Sequence, residues 1–550
     1  MHSTNWRHRW IPLVAAVSFA VLCGGVAPVF AEVPLIEAVK AGDTARLRVL
    51  LGQQVDVNAS EADGSTALHW AVQRDQFDAA DLLIDAGAEV AAENRYGVAP
   101  LLLACTNGSA IMIARLLDAG ADPNTASPQG ETALMTAART GAVEAVTKLL
   151  THGAEVDARE GWRGHTALMW AAAEGHLATM EALITAGAEV DARSISGGAP
   201  IVRSYFEASE PVAAKTDARP TGLSSLLFAV REGHTDAVRL LLAAGADVSG
   251  IAPDGTAPLA VAVLNAHYAL AKLLLDEGAE PNVADPRGSI LHALAWKRSP
   301  GNPGAAAGRP AEQTSDQNSL ALAEALLSRG ANADVRITWD EVRFDVDIGS
   351  VRSPRNIGIG RNYLSFIGAT PFYLAAKHGD IDFMRVLVEH GANPLTPTEQ
   401  NITPLMAAAG LGFWDGESPG PLNGTPDSQR LEAVQYALEL GNDIDATADF
   451  GEVHMEGDGV TLLLRHPLNL GDLGPNARGD MRWTGSTALH GAAVMGSTLI
   501  VDFLVQQGAE LNATNVLGWT PLMVAEGVFV ANTEKSWPDT ATLLRELGAQ

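Results

Sequence analysis

The chain sets 65 acidic residues against 37 basic ones over 550 positions, a formal charge of −28. That field repels phosphate backbones and anionic headgroups, so nucleic acid and membrane surfaces are excluded as expected partners, and the acidity suits the solubility of a long exposed protein. A composition of 47% apolar residues, few aromatics and 54 glycines fits a long helical stack, which grows by adding units where a single core of this length would not.

At the N-terminus, Arg7 and Arg9 precede an apolar run over 11–26, Pro28 breaks it, and Val29, Phe30 and Ala31 supply the kind of site a signal peptidase reads. Residues 1–31 are therefore expected to be a secretory signal peptide cleaved after Ala31. The run is too short for a span of about 20 residues and is interrupted by Gly24 and Gly25, so no membrane insertion is expected after cleavage. Arginine and alanine dominate over lysine as in a GC-rich bacterial chain, which makes the expected address periplasmic or secreted. Cleavage leaves only Cys105, so no intramolecular disulfide forms, and this thiol is expected to be a small buried hydrophobe.

From residue 63 onward the chain repeats itself. GSTALHWA begins at Gly64, GETALMTA at Gly130, GHTALMWA at Gly164 and GSTALHGA at Gly485, on a step of about 33 residues. About twenty residues after each comes a second signature, GAEVAA from Gly87, GADPNT from Gly120, GAEVDA from Gly153 and Gly187, and GAELNA from Gly508. In 63–95, Asp63 and Gly64 make a turn and Thr66 caps a helix through Leu68, Trp70 and Val72. A second helix is predicted over 77–86 with Ala80, Leu83 and Ile84 on its apolar face, and Gly87 stands just past its end. Two such short helices cannot bury this much apolar surface alone, so each unit must be covered by its neighbours.

The two signatures and their period resemble the ankyrin repeat. The resemblance implies an all-α repeat solenoid, an array of helix-turn-helix units joined by β-hairpin fingers and acting as a binding scaffold with no cofactor and no catalytic residues. Twelve units are read, near 34–62, 63–95, 96–128, 129–162, 163–196, 221–253, 254–286, 287–339, 368–399, 400–450, 484–517 and 518–550. His69 and His490 resemble the family's structural histidine, whose ring bonds the backbone of the adjacent unit. Ala99 and Ser224 replace the capping threonine.

Inserts at 197–220, 340–367 and 451–483 follow a finger, whereas 299–317, 411–427 and 530–538 join the two helices of one unit. Val342, Phe344, Val346 and Ile348 alternate with charged residues, the period of a strand, and 460–464 is a second candidate, so short β insertions are expected. Arg343, Arg352, Arg355 and Arg361 in the second insert form a cationic cluster that runs against the net charge. Arg355 and Arg361, with Phe344 and Trp339, are candidate contacts for the carboxylates of another exported protein. A second candidate surface is the row Trp70, Trp170 and Phe228 at one helix position, with Tyr373 one residue earlier in its unit, where packing between helices is the competing reading. An alternative function is recognition of a glycan or small molecule by Trp339, Trp414 and Trp483. His454 and His466 lie among acids without metal-ligand spacing, and no metal site is expected.

Overall fold

The computed structural model describes residues 33–53, 55–195, 222–252, 257–283, 288–298, 317–338, 367–411, 425–449, 484–527 and 536–550. Among them are 24 helices, from Pro34–Lys40 to Pro538–Glu546, and no strand. Helices of seven to nine residues are marginal in isolation, so these depend on their caps and above all on packing.

The caps are where the repeat motif places them. Thr66 lies in extended backbone and its Oγ1 accepts from the His69 N–H, while His69 Nδ1 accepts from the Thr66 N–H at 3.1 Å. Thr132, Thr166, Thr370, Thr403 and Thr520 cap their helices through the same acceptor, each contributing about 1 kcal/mol. Ser224 does so toward the Leu227 N–H, whereas Ala99 offers no side-chain cap and is followed by Pro100, whose fixed φ suits a first helical turn. In the unit at 63–95 the second helix, Phe77–Asp85, ends as expected, with Gly87 at φ +89°.

Stacking is between like helices. Ala133–Thr140 packs on Pro100–Asn107 and on Ala167–Glu174, and among second helices Val143–Thr151 packs on Ala110–Asp118 and Leu177–Thr185. The core is thus one continuous apolar cluster from Leu35 to Leu544, with Leu168 and Cys105 closed inside it. Burial pushes the Cys105 thiol up to about 12, which keeps it protonated and inert.

Polar links run along the stack beside the apolar ones. His69 Nε2 meets the Val98 carbonyl at 3.0 Å and His490 Nε2 meets that of Trp519 at 3.0 Å, each reaching into the following unit. A ladder of Asx side chains does the same, as Asn58 Oδ1 accepts from the Glu89 N–H at 2.9 Å, Asn124 from Glu155 at 2.8 Å and Asp157 from Glu189 at 2.9 Å.

The fingers correct one expectation. They are turns with isolated bridges, Ser60 to Thr66, Ala126 to Thr132 and Arg193 to Ser224, and no hairpin ladder forms among the described residues. Some of their N–H groups bond sideways to the preceding finger, as Arg95 to the Asp63 carbonyl at 2.7 Å and Gly161 to that of Gln129 at 2.8 Å. Within a finger one bond crosses the turn, as Glu61 N–H to the Ser65 carbonyl at 3.0 Å and Ser127 N–H to that of Glu131 at 2.8 Å, and with other donors spent sideways the pairing goes no further than a bridge. The candidate strands 342–348 and 460–464, like residues 1–31, lie outside the described residues.

Candidate functional site

Trp70, Trp170 and Phe228 each stand four residues after a capping Thr66, Thr166 or Ser224. The helical period therefore turns them all to one face of the stacked first helices. Trp70 is partly exposed, and its Nε1 donates to Glu61 Oε2 at 2.9 Å. Lys40, from the preceding helix Pro34–Lys40, pairs with Glu61 and holds its Nζ 4.4 Å from the centre of the Trp70 ring. The Arg74 guanidinium lies 5.7 Å from the same ring.

Farther along, the arrangement repeats with different chemistry. Arg139, on the neighbouring helix Ala133–Thr140, stands 5.7 Å from the partly exposed Trp170 ring and pairs with Glu131 at 3.0 Å. Arg231 lies 5.1 Å from Phe228. His165 fills the space between the two rings, edge-on to Trp170 at 5.3 Å and to Phe228 at 5.2 Å. Burial pulls its pKa down to about 4, against the raising effect of Glu160, so it is neutral at neutral pH and the cations of this face are lysine and arginine. Each cation over a ring contributes on the order of 0.5–1 kcal/mol at such part-exposed sites.

Trp170 differs from Trp70 in one respect. Its Nε1 is shielded from solvent and has no acceptor, and the same holds for His165 Nε2. An unpaired buried polar atom of this kind costs about 1–3 kcal/mol, which marks the Trp170 and His165 pair as a place where structure has been given up.

Tyr373 does not belong to this face. It is 0% exposed, and its hydroxyl is buried without a partner. It stands three residues after Thr370, the position His69 holds after Thr66, and one residue of helix turns a side chain by about 100° into the stack. Phe228 is also mostly buried at 6% exposure, so packing accounts for most of that ring. Trp339, Phe344, Arg355 and Arg361, together with Trp414 and Trp483, lie outside the described residues, as do His454 and His466.

Sequence reasoning passed over the cations and acids of the first-helix face, Lys40, Glu61, Glu131 and Arg139, because Lys40 and Arg139 reach their rings from the preceding stacked helix, Glu61 reaches Trp70 from a finger, and Glu131 acts through Arg139. It also passed over Trp162, the most exposed large hydrophobic side chain described, at 68%. The string Gly-Trp-Arg-Gly at 161–164 was its signal, since a tryptophan at a finger tip has no helix to pack on. Among the described residues no three His, Cys, Asp or Glu side chains are placed to hold a metal ion, and no helix is long and apolar enough to cross a membrane.

Comparison with known families agrees with this architecture. A model of ankyrin repeats in three copies matches residues 35–127, 101–194 and 195–285, and a single-repeat model matches 367–399 and 484–516, together more than half of the chain. No curated protein matches it.

Proposed function

Because the chain belongs to the ankyrin-repeat family, we propose that it is an exported, non-catalytic scaffold of twelve units that holds another exported protein against its first-helix face and fingers. Ankyrin repeats generally mediate protein–protein interaction, and proteins built from them are typically scaffolds without catalysis. The observation that carries the reading is the pair of partly exposed tryptophans, Trp70 and Trp170, each lying under a cation supplied by the preceding stacked helix. Aromatic rings with arginine beside them are the side chains from which interface hot spots are built. Export rests on Arg7, Arg9, the apolar run and the Val29 to Ala31 site; the mature chain then begins at Glu32 in the periplasm or outside the cell, and intact mass of the secreted protein checks this.

The test of the surface is capture of partners from an exported-protein extract by the chain 32–550 and by its Trp70→Ala, Trp170→Ala double variant. The reading expects the captured protein to fall by at least about tenfold in the variant, with melting little changed. Equal capture by both would remove the first-helix face from the interface.

A further inference from the structure

The finger tips present a second surface, and its chemistry is more selective than that of the first-helix face. Neighbouring tips are bonded in two groups, Arg95 N–H to the Asp63 carbonyl in one, and Gly161 N–H to that of Gln129 and Ile195 N–H to that of Arg163 at 2.6 Å in the other, which forms a ledge around Trp162. Large apolar side chains stand out from these tips, Tyr96 at 66% exposure, Trp162 at 68%, Ile195 at 38% and Ile251 at 48%. Each is on a different finger. Singly exposed apolar residues are ordinary, but Trp162 and Ile195 stand on adjoining fingers joined by the Ile195 N–H, and two large apolar side chains side by side are what a contact surface offers.

The charge at this ledge runs against that of the chain. The tip segments 159–163 and 193–195 hold Arg159, Arg163 and Arg193 with a single acid, Glu160. That acid is turned inward, 9% exposed, and its carboxylate accepts from the backbone N–H groups of Trp162, Arg163 and His165. Arg163 stands 4.7 Å from the Trp162 ring. Arg159 reaches the carbonyl of Arg193, and Arg193 reaches that of Ile251, so both are held in place through a single nitrogen. Among the described residues neither meets a carboxylate, and a guanidinium has five N–H donors, so each keeps donors for an incoming acid.

From this juxtaposition we infer that the tips around Trp162, between Tyr96 and Ile251, dock an extended acidic segment of the partner protein, whose apolar side chains cover Trp162 and Ile195 while its carboxylates meet Arg159 and Arg193. The inference rests on the scaffold reading above and adds the partner's chemistry and its place. A short segment fits where a nucleic acid does not. The local guanidiniums act within a screening length of about 8 Å, whereas a phosphate backbone running on along the protein meets the surplus of carboxylates elsewhere.

The test selects a displayed library of random linear peptides on the full mature chain and measures the enriched peptides against variants by fluorescence anisotropy. Enriched sequences are expected to combine aspartate or glutamate with aromatic or branched aliphatic residues. They are expected to lose at least about tenfold in affinity on Trp162→Ala and on Arg159→Gln, to weaken with salt, and to keep their affinity for the Trp70→Ala, Trp170→Ala variant. Trp162→Ala truncates a side chain that is 68% exposed, so the variant is expected to fold and its melting curve verifies it. Enrichment of non-acidic peptides, undiminished binding to Trp162→Ala, or equal binding of duplex DNA would each overturn the inference. Peptides lost only on the tryptophan double variant would overturn it while leaving the first-helix reading standing.

Discussion

Junctions that carry no insertion and junctions interrupted by one are built alike. Between the units at 129–162 and 163–196, which are contiguous, His176 Nε2 meets the Arg139 carbonyl at 3.1 Å and Asp157 Oδ1 accepts from the Glu189 N–H at 2.9 Å. Across the insert at 197–220 the same two links recur, His234 Nε2 to the Ala173 carbonyl at 3.1 Å and Asp191 Oδ1 from the Asp247 N–H at 3.1 Å. The second and third inserts are likewise spanned, by Asp334 to Asn393 and Asp445 to Glu510, both at 2.8 Å. The reason lies in where the first insert leaves and returns. Ser194 and Leu223 are bonded to each other, Ser194 N–H to the Leu223 carbonyl at 3.0 Å and Leu223 N–H to Ser194 Oγ at 2.8 Å, so the two ends sit side by side at a finger. Extra chain between ends already in contact adds little loop-closure cost and leaves the packed faces untouched.

One link is confined to the interrupted half, and breaking it gives the largest expected effect. Arg298 lies at the end of Ile290–Arg298 and bonds Asp380 through Nε at 2.7 Å and Nη2 at 2.9 Å, with both side chains largely buried. Asp380 also accepts from the Phe383 N–H and so starts the next second helix. Arg298→Ala leaves a buried carboxylate unpaired, and urea unfolding should show a loss of about 3–5 kcal/mol. A loss under about 1 kcal/mol would mean the pair is no more than a surface contact.

Next come two core truncations chosen to weigh the junctions against each other. Leu168 precedes the first insert and Leu226 follows it, and both are closed off in their first helices. Each change to Ala should cost on the order of 2–5 kcal/mol, with hydrogen exchange rising most in the adjoining units. A much smaller loss at Leu226 than at Leu168 would break the equivalence of the two kinds of junction.

Acid should act on both kinds equally. Burial holds His292, which reaches the Ala369 carbonyl across the second insert, and His490, at an uninterrupted junction, neutral with pKa values of about 4. The unfolded chain takes up these protons from about pH 6.5 downward and the folded chain does not until about pH 4. Their stabilising effect is therefore complete above pH 6.5 and lost as pH falls toward 4. Tm should be flat above neutrality and decline through that window, and His292→Gln and His490→Gln should each flatten the decline. No difference in slope for either variant would contradict this.

The smallest effect is expected from shortening the connection between the helices Ile290–Arg298 and Gln317–Ser328 by residues 302–311. Roughly halving that connection changes closure entropy by about 0.6 kcal/mol, a shift of a few tenths of a degree to a few degrees in melting. A large loss would show that these residues pack on the array.

Most of the fold was legible because each repeat states its own start and stop. Thr66 and Gly87 act within one turn of where they stand, and the apolar period between them needs no knowledge of other units. The structural histidines were legible for the same reason, since His69 is three residues from the cap it completes. The first-helix face was read only in part. The position of Trp70 and Trp170 follows from helical spacing, whereas the one-residue displacement that buries Tyr373 counts only once the stack is assembled around it. Lys40 and Arg139 lie about 30 residues from the rings they serve, and nothing local marks such a pairing.

By itself, then, the sequence determined the repeat, the helices, their caps and the residues that must be covered, because all of these follow from interactions within a turn or two of chain. Only the tertiary structure decided that fingers bond sideways and, among the described residues, form bridges and no ladders, that three inserts leave the stack unbroken, which rings stay open to solvent and which cations come to lie over them. Those outcomes depend on contacts between units, and the repeat encodes such contacts only through the geometry of stacking.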